Sequence, residues 1–384
     1  MKITARELNR ATLHRQLLLE RAPLGVADGV RRVVALQAQQ PGSPYVALWN
    51  RLAGFDPVEM DAVLARREVV KATLMRITLH AVHAEDYGVF RRAMQQTLYG
   101  SRLGFRFAES GLTPADAEEL LPGFLAFAEV PRSSAEMKGW LEERVGAEAR
   151  EGAWWGLRGY APLHHHPTGG PWSFGERPSY VTAGAGSLPA GREAVPEALR
   201  ELVLRYLAGF GPASVADVAQ FAMVQRTPVR RALRELDGGG VVERLEGPDG
   251  TELFDLVGAE RPAGDTPAPP RLLGMWDSVL LAYADRSRVV PPEYRRVVTR
   301  INGDVLPTLL VDGRVAGVWR PVEGGIEATA FHGLPEPVWE ALAGEARALC
   351  ALLAAREPRL YGRYGHWWAK LPEGRVRLLP GQVP

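Results

Sequence analysis

The stretch PASVADVAQFAMVQRTPVRRALRELDGGGVVERLEGPDGTELFDLV, residues 212–257, decides the fold. Its first part has apolar residues at helical spacing. A second helix follows, with Thr227 as the expected N-cap and Pro228 at the first turn. Gly238, Gly239 and Gly240 stop it, because consecutive glycines remove the entropic advantage of a helix. Two runs of alternating polarity then flank a Pro-Asp-Gly turn, which predicts a β-ribbon. With an amphipathic helix at 196–207 in front, the order is three helices and a two-stranded ribbon, the order of a winged helix.

The same order is expected twice upstream. Helical periodicity marks residues 5–20, 25–39 and 44–53, and Asp56-Pro57 opens a further helix to about Arg66. REVVKATLMRITLHAVHAEDY then predicts two strands around a tight turn at 76–78. In the second unit, Thr113 opens one helix, Ser133 caps another, and a Trp-rich helix follows at 153–160. APLHHHPTGGPWSFGERPSYVTA reads as short strands around a Gly/Pro loop. The linker GAERPAGDTPAPP separates these units from strand-like runs at VLLAY, VVTRI and TLLVDGRVAGVW, and a helix is expected at 335–356. Asp312-Gly313 marks a hairpin, since a type I′ turn needs positive φ at both central positions. The expected class is α+β: winged helices over 1–100, 101–190 and 191–260, then a small β-rich C-terminal domain over 270–384 with its hairpin near 308–319.

Composition narrows the function. The chain has 46 basic and 45 acidic residues among 384, so any nucleic-acid role must come from local clustering. Lysine occurs only at Lys2, Lys71, Lys138 and Lys370, which leaves arginine, with its bidentate fork, as the main cation. A high-GC genome produces the same bias. One cysteine, Cys350, excludes an internal disulfide and a cysteine zinc site. The charged N-terminus resembles neither a signal peptide nor a membrane span, so a cytoplasmic, nucleoid-associated protein without a membrane partner is expected. Phosphate-binding glycine loops and GxSxG are absent, which disfavours nucleotide-driven and hydrolase-elbow chemistry.

Three groups of residues bear on chemistry. VVALQAQQPGSPYVALW places Gln37 and Gln39 at the expected end of a helix. Residues two apart there diverge by about 200°, so they converge only if the helix unwinds at Pro41-Gly42. Capping loose carbonyls is the alternative role for such amides. The run His164, His165, His166 lacks a nearby carboxylate or cysteine for a metal site, and a wing facing solvent or phosphate is expected in its place. Arg230 and Arg234 share a helix face, while Arg286 and Arg288 belong to a second basic cluster, and Arg76 sits at the turn of the first ribbon. All suit phosphate contacts or plain solvation.

LNRATLHRQLLLER, VVALQAQQPGSPYVALWNRLAGF, VVKATLMRITLHAVHAEDY, WDSVLLAYADRSRVV and LLVDGRVAGVWR resemble the winged-helix DNA glycosylases of the AlkZ and YcaQ type, nearly end to end, and the AlkZ branch most. The resemblance implies unhooking of interstrand crosslinks and self-resistance to a genotoxic natural product. It implies a Gln-apolar-Gln catalytic motif, matched by Gln37, Ala38 and Gln39. It also implies a hairpin probing the minor groove, here Leu310, Val311, Asp312, Gly313 and Arg314, and a His-apolar-Pro element. His165, His166 and Pro167 correspond to that element, with a histidine at the apolar position. The expected partner is double-stranded DNA carrying N7-alkylpurine lesions or crosslinks, bound by a monomer with no cofactor and no metal.

The chemistry agrees with the residues. An N7-alkylated purine is already cationic and departs as a neutral base, so acid catalysis of departure is unnecessary. A glutamine carbonyl can orient water without ionising. With no lysine near the pair in sequence to form a Schiff base, a monofunctional glycosylase is expected. A non-enzymatic winged-helix regulator is the competing expectation.

Overall fold

Thr4 opens the first helix with a capping box to Glu7, the signature of Thr followed three residues later by Glu. In this computed structural model, which describes residues 1–184 and 194–381, α1 (Ala5–Arg15) leads to α2 (Val26–Arg32), the two-residue strand β1 (Leu36–Gln37), α3 (Ser43–Trp49) and α4 (Pro57–Ala65). Asp56 caps α4 through the Val58 N–H, as expected. The antiparallel pair β2 (Val69–Thr73) and β3 (Leu79–His83) follows. The expected helix over 25–39 is therefore half wrong. Val33-Val34-Ala35-Leu36 is buried on all sides, where apolar spacing cannot separate a helix from a strand.

Next come α5 (Ala84–Ala93), α6 (Gln95–Arg102), α7 (Phe105–Ala108), α8 (Pro114–Phe127), β4 (Arg132–Ser133), α9 (Ser134–Tyr160), β5 (Leu163–His166) and β6 (Ser179–Thr182). Thr113 and Ser133 cap α8 and α9 with capping boxes. The Trp-rich segment joins α9 across a break at Gly146, whose φ of 80° ends the helical path. The ribbons of the first and second units do not stand apart. They merge into one six-stranded sheet, ordered β1-β3-β2-β5-β6-β4.

The third unit is α10 (Ala194–Phe210), α11 (Val215–Ala222), α12 (Arg226–Gly238), β7 (Val242–Glu246) and β8 (Glu252–Leu256), the order read from the sequence. Gln225, not Thr227, is the N-cap of α12. The boundary expected at 190/191 lies outside the described residues. The linker is strapped along α1: Arg6 Nε donates to the Gly264 carbonyl at 2.9 Å and Arg10 Nε to that of Thr266 at 2.7 Å.

Beyond it lie β9 (Arg271–Leu273), α13 (Arg295–Val298), β10 (Thr308–Val311), β11 (Arg314–Val322), β12 (Gly325–Ala330), α14 (Glu336–Ala354) and β13 (Arg375–Pro380). The sheet order is β13-β12-β11-β10-β9. VLLAY and VVTRI were expected as strands. Residues 278–280 form a 3-10 turn instead, and VVTRI begins within α13. The first helices and the C-terminal sheet share one core, in which Leu13, Val46 and Leu48 pack with Leu272, Leu309 and Trp319. Residues 270–381 are thus welded to the N-terminal helices. Two bidentate buried ion pairs tie the same seams: Arg15 to Asp255 at 2.6 and 2.9 Å, and Arg51 to Asp277 at 2.8 and 2.7 Å. Among the described residues no helix is long and apolar enough to cross a membrane.

Candidate active site

The glutamine motif lies on and just after β1, at the edge of the six-stranded sheet. Val34, at φ 74°, reverses the chain from α2 into β1, and Gly209 of α10 makes room, since a Cβ there would lie 2.4 Å from Val34 Cγ2. Leu36 pairs with Ala81 and Gln37 with His80. Gln37 ends β1 and Gln39 follows in the bend beyond it, so the pair stands on no helix and needs none to unwind.

Both amides are held. Gln37 is buried, and its Oε1 accepts a hydrogen bond from Arg76 Nη2 at 2.7 Å. The exposed Gln39 turns its Oε1 to the backbone N–H of Leu79 at 2.9 Å, just where Ala38 N–H donates to the Leu79 carbonyl at 2.8 Å. Its side chain thus stands in for the next rung of the ladder. Each carbonyl oxygen has two lone pairs and spends one, so each keeps one acceptor position. Both oxygens accept from N–H donors, so these bonds are not the capping of loose carbonyls that was the alternative role.

Arg76 is positioned by strain. It and Ile77 both have positive φ, 53° and 57°, which makes Met75 to Thr78 a type I′ turn built without Gly or Asn. A β-branched residue in this region costs on the order of 1–3 kcal/mol, and such strain gathers where geometry is used. Arg102 Nη2 holds the turn by donating to the Ile77 carbonyl at 3.1 Å. Arg76 Nη2 also lies 3.2 Å from His80 Nε2. His80 Nδ1 is 3.2 Å from the Thr78 carbonyl, an arrangement in which Nδ1–H donates and Nε2 accepts. Burial first, then the Arg76 charge, pushes the His80 pKa down to about 3, so the ring is a neutral acceptor.

Arg76 Nη1 is buried without a hydrogen-bond partner, and so is Arg286 Nε. Burial and the nearby Arg286 push the Arg76 guanidinium down to about 10, which leaves it charged at neutral pH. Arg286 Nη1 donates to Thr299 Oγ1 at 3.2 Å. Orphaned donors on two adjacent cations, without a carboxylate partner among the described residues, form a wall suited to an anion.

The other expected residues are distributed differently. Arg230 and Arg234 are exposed on α12, opposite its buried face of Val229, Leu233 and Leu236, and α11 beside it brings Phe221 to 5.6 Å from Arg76. His165 is no exposed wing residue: its ring lies 4.7 Å from Tyr180, and burial, with Lys71, pushes it down to about 3. His164 is buried edge-on to Tyr87, and His166 is half-buried. Arg288 is a brace, because its guanidinium stacks 3.8 Å from the Tyr283 ring and donates to the Pro212 carbonyl at 2.9 Å. The hairpin is not a free finger. Leu310 and Gly313 are buried, Val311 is half-buried, and Asp312 is tied to Arg6 at 2.9 Å and to Arg10. Asn9 Nδ2 donates to the Gly313 carbonyl at 2.7 Å, and the φ of 77° at Gly313 together with this close packing admits only glycine. Asp312 and Arg314 are the exposed members of the five, and Asp312 is held in its ion pairs.

Sequence reading overlooked His80 and Arg102. A histidine interrupting the apolar face of β3 was the available signal for His80. Arg102 carried none.

A family model described as DNA glycosylase AlkZ-like matches residues 30–352. An interstrand DNA cross-link repair glycosylase of Streptomyces sahachiroi is 29% identical over 346 residues, covering 86% of this chain and 91% of that protein. The solved structure of the Streptomyces sahachiroi DNA glycosylase AlkZ superposes with a TM-score of 0.78 at 23% identity, over 93% of this chain and 98% of that one. The chain belongs to the AlkZ-like DNA glycosylase family.

Proposed function

We propose that the protein hydrolyses the N-glycosidic bond of cationic N7-alkylated purines in duplex DNA, as a monomer, and unhooks interstrand crosslinks made through such bases. In this reading it serves DNA repair and self-resistance to a genotoxic natural product. The observation that carries it is the pair of amide oxygens, each fixed by one internal donor and each keeping a lone pair for water. The departing base carries its own positive charge, so the enzyme has only to aim water at C1′ and tolerate an oxocarbenium-like sugar. Neutral amides orient the water without titrating, and the proton that it loses on bonding to C1′ passes to bulk solvent. Arg76 and Arg286, with their unpartnered nitrogens, take the phosphates beside the lesion and neutralise their own buried charge. The three-helix and ribbon units are read as tandem winged helices that cradle the duplex.

The test is release of free N7-methylguanine from alkylated duplex under single-turnover conditions. Gln37→Ala is expected to slow release by roughly 10²-fold or more while retaining DNA affinity. Wild-type-like release by that variant would remove Gln37 from the chemistry.

A further inference from the structure

Beside the strained turn lies a second basic surface that the chemistry above does not use. Trp155 of α9 sits between two guanidinium groups, with Arg102 at 5.2 Å and Arg106 at 5.5 Å from its ring. Arg158, one turn further along α9, lies 5.9 Å from the Trp154 ring. Phe105, at the start of α7, is 80% exposed. Of these, Arg106, Trp154, Trp155 and Arg158 border a shallow cleft of about 420 Å³.

The local carboxylates do not neutralise it. Glu151 is engaged by Lys138 at 2.8 Å and by Arg150 at 3.1 Å, which leaves Glu109 as the remaining acid on the rim. Among the described residues neither Arg106 nor Arg158 forms an ion pair, and Arg102 Nε is buried without a partner. Arg102 spends Nη2 on the Ile77 carbonyl and Arg158 shares a hydrogen bond with Tyr180, while Arg106 has no such partner among the described residues. A guanidinium packed on an indole can turn its remaining N–H groups to phosphate oxygens.

The patch is continuous with the glutamine site. Arg102 donates to the carbonyl of Ile77, whose neighbour Arg76 donates to Gln37. We infer that the Arg102, Arg106 and Arg158 surface around Trp155 binds the sugar–phosphate backbone of the duplex flanking the lesion, with Phe105 against the groove wall. The inference rests on the DNA reading above and extends the footprint from the β1 edge over α6, α7 and α9.

Charge reversal tests it. Binding of an unmodified duplex is measured over a range of salt for wild type, Arg106→Glu, and Arg106→Glu with Arg158→Glu. The denaturation midpoint of each variant is checked in parallel. The single variant is expected to weaken binding roughly five- to tenfold and to lower the log–log salt slope by about 0.9, and the double variant by about twice that. Among the described residues Arg106 makes no side-chain hydrogen bond, so it reports even if the double variant is unstable. Unchanged affinity and slope in Arg106→Glu would overturn the inference, as would a loss confined to single-stranded DNA. Release of N7-methylguanine by the wild type is assayed alongside. Its absence, with a patch-dependent salt slope, would sink the proposed reaction and leave this surface standing.

Discussion

Arg76 shows how one side chain links strain, electrostatics and chemistry. Its Nη2 reaches Gln37 Oε1 and His80 Nε2 together through its two N–H groups, and a lysine side chain, one bond shorter, ends its ammonium short of that point. Arg76→Lys is therefore expected to slow base release roughly ten- to a hundredfold at saturating protein, because one charged hydrogen bond of about 1.5–3 kcal/mol is lost. DNA affinity should change much less, since the charge stays. An equal loss in both would make Arg76 a plain phosphate contact. His80 takes part as a neutral acceptor, so no step in activity near pH 6.5 should come from it.

At the scale of elements, the β2–β3 turn and the α1 seam make opposite predictions. Ile77→Gly relieves a β-branched residue of its left-handed backbone and should raise stability by about 1 kcal/mol or leave it unchanged. It should slow base release as the platform under Arg76 loosens. Denaturant titration paired with the release assay checks this, and faster release would contradict the account of the strain. Arg15 lies between the Leu207 carbonyl and Asp255 with almost no solvent contact. Arg15→Met leaves that carboxylate with one fewer cation, and only Arg261 at 3.0 Å remains. The expected cost is roughly 3 kcal/mol, read as a lower denaturant midpoint.

The merged sheet also explains where sequence reading went astray at this scale. Val33 to Leu36 and VLLAY are apolar runs that end up enclosed, and enclosure erases the periodicity that distinguishes a helix from a strand. Exposed, capped elements were legible: Asp56, Thr113 and Ser133 start helices where expected, because a cap is a local hydrogen bond.

For the whole molecule, three histidines, two buried and one half-buried, set a pH limit. His80, His164 and His165 are each pushed down to about 3, mainly by burial. An unfolded histidine titrates near 6.5, so between that pH and about 3 the unfolded chain binds protons that the folded chain refuses. Their contribution is complete above pH 6.5 and is lost as the pH falls, at up to about 1.4 kcal/mol per pH unit for each. Urea midpoints should hold steady from pH 8 to 7 and fall steeply below pH 6. A flat profile to pH 4 would mean that these rings are not enclosed.

The order of capped helices and ribbons, and the glutamine pair itself, could be read in one dimension, because caps, turns and short motifs are set by neighbours within a few residues. The folded molecule was needed to join two ribbons into one sheet and to make Gln37 part of a strand. It also buried the Leu310 hairpin on α1 and brought Arg76, His80 and Arg102 to the glutamines. Those outcomes depend on contacts between residues tens to hundreds of positions apart, and on which side of an apolar run meets which neighbour. Nothing local in the chain encodes that choice.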